Sequence, residues 1–408
     1  MRLLQVKAVE KVFQIIAESF GPLEAEEVLL SHAGGRITAE IIVAPEDVPA
    51  FERSTVDGYA VSASETFGAQ EGLPAMLELV GEVCMGESAP KIGTGECCYV
   101  PTGGMLPSGS DAVVMIEQTE VTGTLVHIYR QVAPGENRIQ RGEDLQSGQV
   151  VLERGRRLRA PELGLLASLG ITRFKVVRRP IIAILSSGDE LVPVETQVLA
   201  PGQIRDSNSV ALAYLAAQMG GEVLRGGILP DCYPDFYEGV SRMLKRADMV
   251  VLSGGSSVGN RDYTTQVLQE LGEGGLLVEG MAIQPGKPTL LAKCQGKPVL
   301  GLPGHPVSAL NIFTLVGGAI IRSMSGSGAE VWRPSVPAIL ARNIVSRPGV
   351  TELVRVSIKK TEKGTVATPI FGRSGLLRTL AEANGTIWVP AEAEGLAAGE
   401  KVAVFLWE

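Results

Sequence analysis

Three stretches of this chain hold the residue types that phosphate chemistry demands. They are Ser186-Ser187-Gly188-Asp189-Glu190, the run from Ser253 through Gly254, Gly255, Ser256, Ser257, Val258 and Gly259 to Asp262, and Pro303-Gly304-His305-Pro306. Glycine lets backbone approach a ligand closely, serine hydroxyls and free N–H groups donate to phosphate oxygens, and a helix N-terminus adds partial positive charge. Glu190, Asp231 and Asp262 lie on or near these stretches. Carboxylates beside a phosphate repel it unless a hard cation bridges them, so the pattern implies Mg²⁺. Lys287, in Gln284-Pro285-Gly286-Lys287-Pro288, supplies a point charge for a phosphate or another oxyanion. The sequence has neither a Walker A match nor G-x-G-x-x-G, and His32, His127 and His305 fall at no catalytic spacing. A glycine-rich loop after a strand also suits a plain turn. The residues alone therefore point to an anion-binding α/β enzyme that uses Mg²⁺, and go no further.

The elements that would position these loops can be read from hydrophobic pattern. Residues 181–185 are all apolar, as in a strand buried on both faces. Asp206-Ser207 caps a helix running to Met219 and closed by Gly220-Gly221. A strand over 222–224, a helix over 234–246, a strand over 248–252, a helix after Asp262, a strand over 298–302 and a helix over 307–324 follow. This alternation predicts a mostly parallel sheet flanked by helices, with ligands bound beyond the carboxyl ends of its strands.

The flanking segments read differently. Val6, Val9, Phe13, Ile16 and Phe20 mark one face of a helix stopped by Gly21-Pro22. A second short helix is expected over 25–32, and a third over 159–169 that packs with the first two. Between them lie short β-prone runs at 75–80, 96–100, 111–116 and 125–129, separated by turn residues. Ser325-Gly326-Ser327-Gly328 marks a linker, and five more β-prone runs follow it. The expected class is a multidomain α/β plus β chain: a discontinuous helical domain (1–50 and 141–178), an inserted small β domain (51–140), an α/β domain with a mostly parallel sheet (179–326) and a small C-terminal β domain (327–408).

Composition sets the outer limits. At 408 residues and 45% hydrophobic content, the chain can build several cores and is no disordered polymer. With 37 basic against 45 acidic residues it has no overall footprint for nucleic acid. The longest apolar candidate, around 312–321, is roughly half the ~20 residues that cross a bilayer, and the N-terminus lacks a signal-peptide pattern. Five cysteines with no C-x-x-C pair argue against a disulfide framework or structural zinc site. A cytoplasmic enzyme is the expectation, with Cys97 and Cys98 in a core.

Several motifs add a resemblance. Ser54-Thr55-Val56-Asp57-Gly58-Tyr59-Ala60 resembles the S-x-x-D-G-Y-A signature of the molybdopterin molybdenumtransferases, a family that includes the molybdenum-inserting half of gephyrin. Pro101-Thr102-Gly103-Gly104, Gly142-Glu143-Asp144, Ser187 to Leu191, Arg205-Asp206-Ser207-Asn208, Ser253 to Gly259, Pro285 to Pro288 and Gly301 to Gly304 follow in the family's order. The resemblance implies the four domains above, with a molybdopterin-binding α/β domain and a β-barrel as the C-terminal one, and a homodimer whose site is shared between subunits. It implies a reaction in which adenylyl-molybdopterin and molybdate give molybdenum cofactor and AMP with a divalent cation. The molybdopterin adenylyltransferase and molybdoenzyme apoproteins would be partners. By resemblance, Glu190, Asp231 and Asp262 are assigned to the cation, with Asp262 alternatively on the pterin. Asp57, Thr102 and Lys287 would act at the reacting group. Ser186, Ser187, Gly188, Ser253, Gly254, Gly255, Ser256, Ser257, Gly259, Pro303 and Gly304 would cradle substrate, joined by Arg355 and Ser374 from the C-terminal domain.

Two positions depart from the family pattern: Gln284 stands where lysine is frequent, and His305 where asparagine is. Other readings are a pterin-binding carrier or scaffold without chemistry, a related adenylyltransferase using ATP, and a tungstate-using relative. The inserted domain carrying Asp57 argues against the adenylyltransferase.

Overall fold

The computed structural model describes residues 6–254, 260–329, 334–362 and 364–407, and it divides into two compact units. One comprises residues 28–34 and 40–174; the other holds the remainder of the chain.

The larger unit is built on a six-stranded sheet. Its strand order is Glu222–Leu229, Ile181–Ser187, Met249–Gly254, Lys297–Leu302, Leu290–Cys294, Gly272–Glu279. The first four strands are parallel, as the βα alternation predicts, and the last two are antiparallel. Those two strands were not expected from the sequence. Polar Lys293 and the glycines Gly272, Gly274 and Gly275 interrupt the apolar runs that mark the parallel strands.

Asp206 caps the helix Ser207–Gln218 by accepting from Ser209 N–H at 3.1 Å. That helix packs on one sheet face with the helical run Pro306–Ser325 and with Val9, Val12 and Ile16 of the helix Val9–Ser19. The helices Tyr233–Leu244 and Asn260–Leu271 pack on the other face, where Phe236, Val240, Leu244, Val267 and Leu268 cover Leu185, Val250 and Leu252. Pro306–Ser325 has 20 residues and is long and apolar enough to cross a membrane, longer than the stretch picked out in the sequence. It is a core helix here, with 83% of its most apolar window buried.

The C-terminal part of this unit closes on itself. Strands Thr351–Thr361, Gly364–Pro369, Ser335–Leu340, Lys401–Leu406 and Gly385–Val389 form a ring, the last pairing back to the first. This is the expected C-terminal β-barrel, filled by Leu340, Val356, Ala367, Ile387, Val389 and Val404. The short strand Ile283–Gln284 adds in parallel beside Thr351 and Glu352, and so brings the Gln284–Pro288 loop to the barrel.

The second unit holds a six-stranded sheet ordered Ala112–Met115, Gly58–Val61, Glu96–Val100, Ala75–Glu82, Leu125–Ile128, Thr119–Thr122. Its two faces bury Tyr59, Leu77, Cys97, Val114 and Val126 on one side and Ala60, Cys98, Val100 and Val113 on the other. Burial pushes the Cys97 thiol up to about 12 and Cys98 up to about 11, so both are inert core residues as expected.

One predicted element is overturned. The helix expected over 25–32 is a strand, Ala25–Leu29, followed by a 3₁₀ turn, Leu30–His32. The run Ala-Glu-Glu-Val-Leu has good helix formers, but neighbouring backbone claims its ends: Arg178 N–H donates to Glu24 O, and Leu30 N–H to Thr172 O. Tertiary pairing outweighs propensities worth a few tenths of a kcal/mol per residue. The expected third helix is Ala160–Ser168; Arg156 and Arg159 bind Glu162 and hold its carboxyl well below the ordinary range.

Candidate functional site

In the second unit, the motif around Asp57 and the turn at Thr102 interlock. Gly58 lies in a strand so close to Val114 O that a Cβ would run into it, which explains the glycine after Asp57. Ser54 N–H donates to Gly104 O at 3.0 Å, and Gly103 N–H to Ser54 O at 2.8 Å. Asp57 is thereby set beside Thr102: its Oδ1 accepts from Thr102 N–H at 2.7 Å and from Thr102 Oγ1 at 2.9 Å. These two bonds, the backbone one first, hold the Asp57 carboxyl below the usual carboxylate range. The pair is an exposed, oriented carboxylate, and the structure brings together two residues assigned to the reacting group.

In the larger unit, the strand Ile181–Ser187 carries Ser186 and Ser187 to the carboxyl edge of the sheet. Successive side chains point to opposite faces. Ser187 Oγ donates to Asp231 Oδ1 at 3.1 Å, while the Ser186 hydroxyl is buried and has no partner among the described residues. Asp231 N–H donates to Asp189 Oδ1 at 3.0 Å, so Asp189, to which no role was assigned, fixes the Asp231 loop. The Glu190 carboxylate folds over Gly188. At Gly254 the backbone takes φ +118°, and a Cβ would run into Ser187 O. Gly255, Ser256, Ser257, Val258 and Gly259 lie outside the described residues, as does the side chain of Asp262.

Asn208 ties two of the loops together. Its Nδ2 donates to Ser253 Oγ at 2.9 Å and to Gly304 O at 2.8 Å. It was visible only as part of a motif; nothing in its spacing marks it as the link.

Beyond Gly304 opens a cavity of about 920 Å³, walled on one side by Pro303, His305 and the Gln284–Pro288 loop and on the other by the barrel. Lys287, Arg347, Arg355 and Arg373 line it, against one carboxylate, Glu352. Arg355 is only 8% exposed. Its Nη2 donates to Gly372 O at 2.8 Å, while Nε and Nη1 are buried without a partner among the described residues. Burial lowers its pKa, yet a guanidinium keeps its proton, so the cavity wall holds a buried, under-satisfied cation. His305 Nδ1 and Ser374 Oγ lie 2.8 Å apart, and Val307 N–H donates to Ser374 O at 3.1 Å, which seats the barrel loop on the first turn of a helix. Ser374, Arg355, Lys287 and Pro303, separate in sequence, thus converge on one cavity. Arg347 and Arg373 were missed; Arg373 immediately precedes Ser374, and Arg347 carries no sequence signal.

Among the described residues, no group of three His, Cys, Asp or Glu side chains is placed to hold a metal ion. Mg²⁺ is normally held by one or two carboxylates plus substrate phosphates rather than by an all-protein cage. Asp231 and Glu190, at the ends of adjacent parallel strands, fit that mode.

Three family models match the chain: "MoeA N-terminal region (domain I and II)" over residues 7–170, "Probable molybdopterin binding domain" over 183–322 and "MoeA C-terminal region (domain IV)" over 337–407. A molybdopterin molybdenumtransferase of Haemophilus influenzae is 34% identical over 387 residues, covering 94% of each chain. Its counterpart in Staphylococcus epidermidis is 32% identical over 381 residues, covering 93% of this chain and 90% of the relative. A crystal structure of a molybdopterin biosynthesis MoeA protein from Pyrococcus horikoshii superposes with a TM-score of 0.86 at 31% identity, covering 99% of this chain and all of that one.

Proposed function

The chain belongs to the molybdopterin molybdenumtransferase family, and from that premise we propose that it inserts molybdenum from molybdate into adenylyl-molybdopterin with release of AMP. The observation that carries this reading is the cavity at Arg355: four cationic side chains, among them a buried guanidinium with one of its donors satisfied, suit a small dianion such as molybdate. The cavity wall Pro303–His305 reaches the sheet edge through Asn208, so an oxyanion held there adjoins the edge where a pterin phosphate would lie.

In this reading, Ser187, Gly188 and the loop from Ser253 to Gly259 cradle phosphate, and Glu190, Asp231 and Asp262 hold Mg²⁺. When bound, that ion neutralises the charge of the phosphoanhydride. Lys287 and Arg355 position molybdate. The Asp57 carboxylate, oriented by Thr102, accepts a proton from the water that cleaves the anhydride. A homodimer, in which the β unit of one copy serves the α/β domain of the other, belongs to the same proposal, supported by the exposed position of the Asp57–Thr102 pair. So does a cytoplasmic location, where free thiols such as these five persist.

The test is AMP release from adenylyl-molybdopterin with Mg²⁺. Molybdate should stimulate it severalfold. Tight pterin binding with no molybdate-dependent AMP release would instead identify a carrier.

A further inference from the structure

Three tyrosines gather at the N-terminal ends of the two helices that pack on one face of the α/β sheet. Tyr233 opens Tyr233–Leu244 two residues after Asp231, and Tyr263 lies in the first turn of Asn260–Leu271. The rings of Tyr233 and Tyr237 are 6.2 Å apart and inclined by 32°; those of Tyr233 and Tyr263 are 6.3 Å apart and inclined by 61°. Tyr233 and Tyr237 pack against the core of that face, and the Tyr233 hydroxyl is bound to Glu270. These two rings are therefore fixed, while Tyr263 leans on Tyr233, which Tyr237 backs, and is 39% exposed. A large aromatic ring braced by another and partly exposed can serve as a stacking surface.

Its position along the sheet edge limits what it could stack on. The oxyanion cavity follows the strand Lys297–Leu302; Tyr233 follows Glu222–Leu229, three places away in the sheet, and Tyr263, on the helix after Met249–Gly254, has its ring against Tyr233. At ~4.8 Å per strand, Tyr233 lies about 14 Å along the edge from the cavity's strand, with Ser187 between them and Asp231 at the Tyr233 end. A substrate that presents sulfurs to the cavity and lays its diphosphate along the edge ends in a nucleoside at the far side.

We propose that Tyr263, braced by Tyr233 and Tyr237, is the stacking platform for the adenine ring of the adenylylated substrate. The proposal rests on the function given above and assigns the ligand of a part of the edge to which that function gives none.

The test compares wild type, Tyr263→Ala and Tyr263→Phe by calorimetric titration of the full chain in Mg²⁺ buffer with three probes: AMP, ribose 5-phosphate and 6-hydroxymethylpterin. Circular dichroism melts establish that each variant is folded. Tyr263→Ala should weaken AMP roughly 5- to 150-fold, the range found when a stacked aromatic is cut to alanine. Ribose 5-phosphate should bind it as it binds wild type, and Tyr263→Phe should hold AMP within about threefold of wild type, because the ring and not the hydroxyl does the stacking. Equal AMP affinity in wild type and Tyr263→Ala would overturn this assignment alone. Selective loss of the pterin would overturn the choice of adenine. Failure of wild type to bind either AMP or ribose phosphate would sink the underlying function as well.

Discussion

Replacing Arg355 by methionine separates a binding role from a structural one, because the two predict opposite signs. The side chain is 8% exposed, makes one hydrogen bond, to Gly372 O, and leaves Nε and Nη1 unpaired. Hydrogen bonds between charged groups contribute about 1.5–3 kcal/mol, so losing the contact to molybdate should raise its half-saturation roughly 10- to 150-fold. Without ligand the balance differs. Methionine loses one hydrogen bond of about 1.5–3 kcal/mol, but it also removes a buried cation whose desolvation costs several kcal/mol and which has no ion-pair partner among the described residues. The ligand-free variant should therefore melt at the same temperature as wild type or higher. Molybdate at one hundred times the wild-type Kd should stabilise wild type by about 2.7 kcal/mol and the variant by only about 0.3–1.4 kcal/mol. Thermal melts with and without molybdate, together with molybdate-dependent AMP release, read all three quantities. A lower melting point with unchanged half-saturation would show that Arg355 braces the Gly372 loop and does not serve an oxyanion.

Other expectations follow from single contacts. Asp57→Asn should cut turnover roughly 10²- to 10⁴-fold with no change in melting temperature, since the carboxylate is exposed and its proposed task is proton transfer. Thr102→Val removes a donor that depresses the Asp57 pKa, so the acidic limb of the pH–rate profile should move to higher pH; an unmoved limb would exclude Asp57 as the base. Gly254→Ala should destabilise the chain by at least about 2 kcal/mol in denaturant titration, because alanine must adopt φ +118° and meet the Ser187 carbonyl. Arg178→Met strands Asp248, which accepts from Arg178 at 2.6 and 2.7 Å, and should cost about 3–5 kcal/mol at pH 7. Burial alone would raise the Asp248 pKa, but Arg178 and the Ile181 N–H outweigh it, and the folded value is depressed. Its contribution is thus complete above the unfolded pKa near 4 and fades as pH falls through the folded one, so the gap between variant and wild type should close in acid.

The sequence was most legible where physics is local. The cap at Asp206, the apolar run 181–185, the helix 9–19 and the β-prone runs of the barrel all formed close to where pattern placed them, because caps and periodicity act between near neighbours. The motif residues Asp57 and Thr102 were legible only by resemblance; their 45-residue separation has no local meaning until two strands of one sheet align them. The strand at Ala25–Leu29 was misread for the converse reason, its helix-forming composition being overruled by backbone partners about 150 residues away.

What the chain determined by itself was the set of elements, the glycines at close approaches and the glycine-serine loops after parallel strands. What only the tertiary structure decided was which charges meet. Arg347, Arg355 and Arg373 sit on a barrel, Lys287 and His305 on loops of the α/β sheet, and the pairing of Ile283–Gln284 with Thr351–Glu352 brings them around one cavity. Coulomb interaction depends on distance through space and on burial, and neither is written in the spacing of residues along a chain.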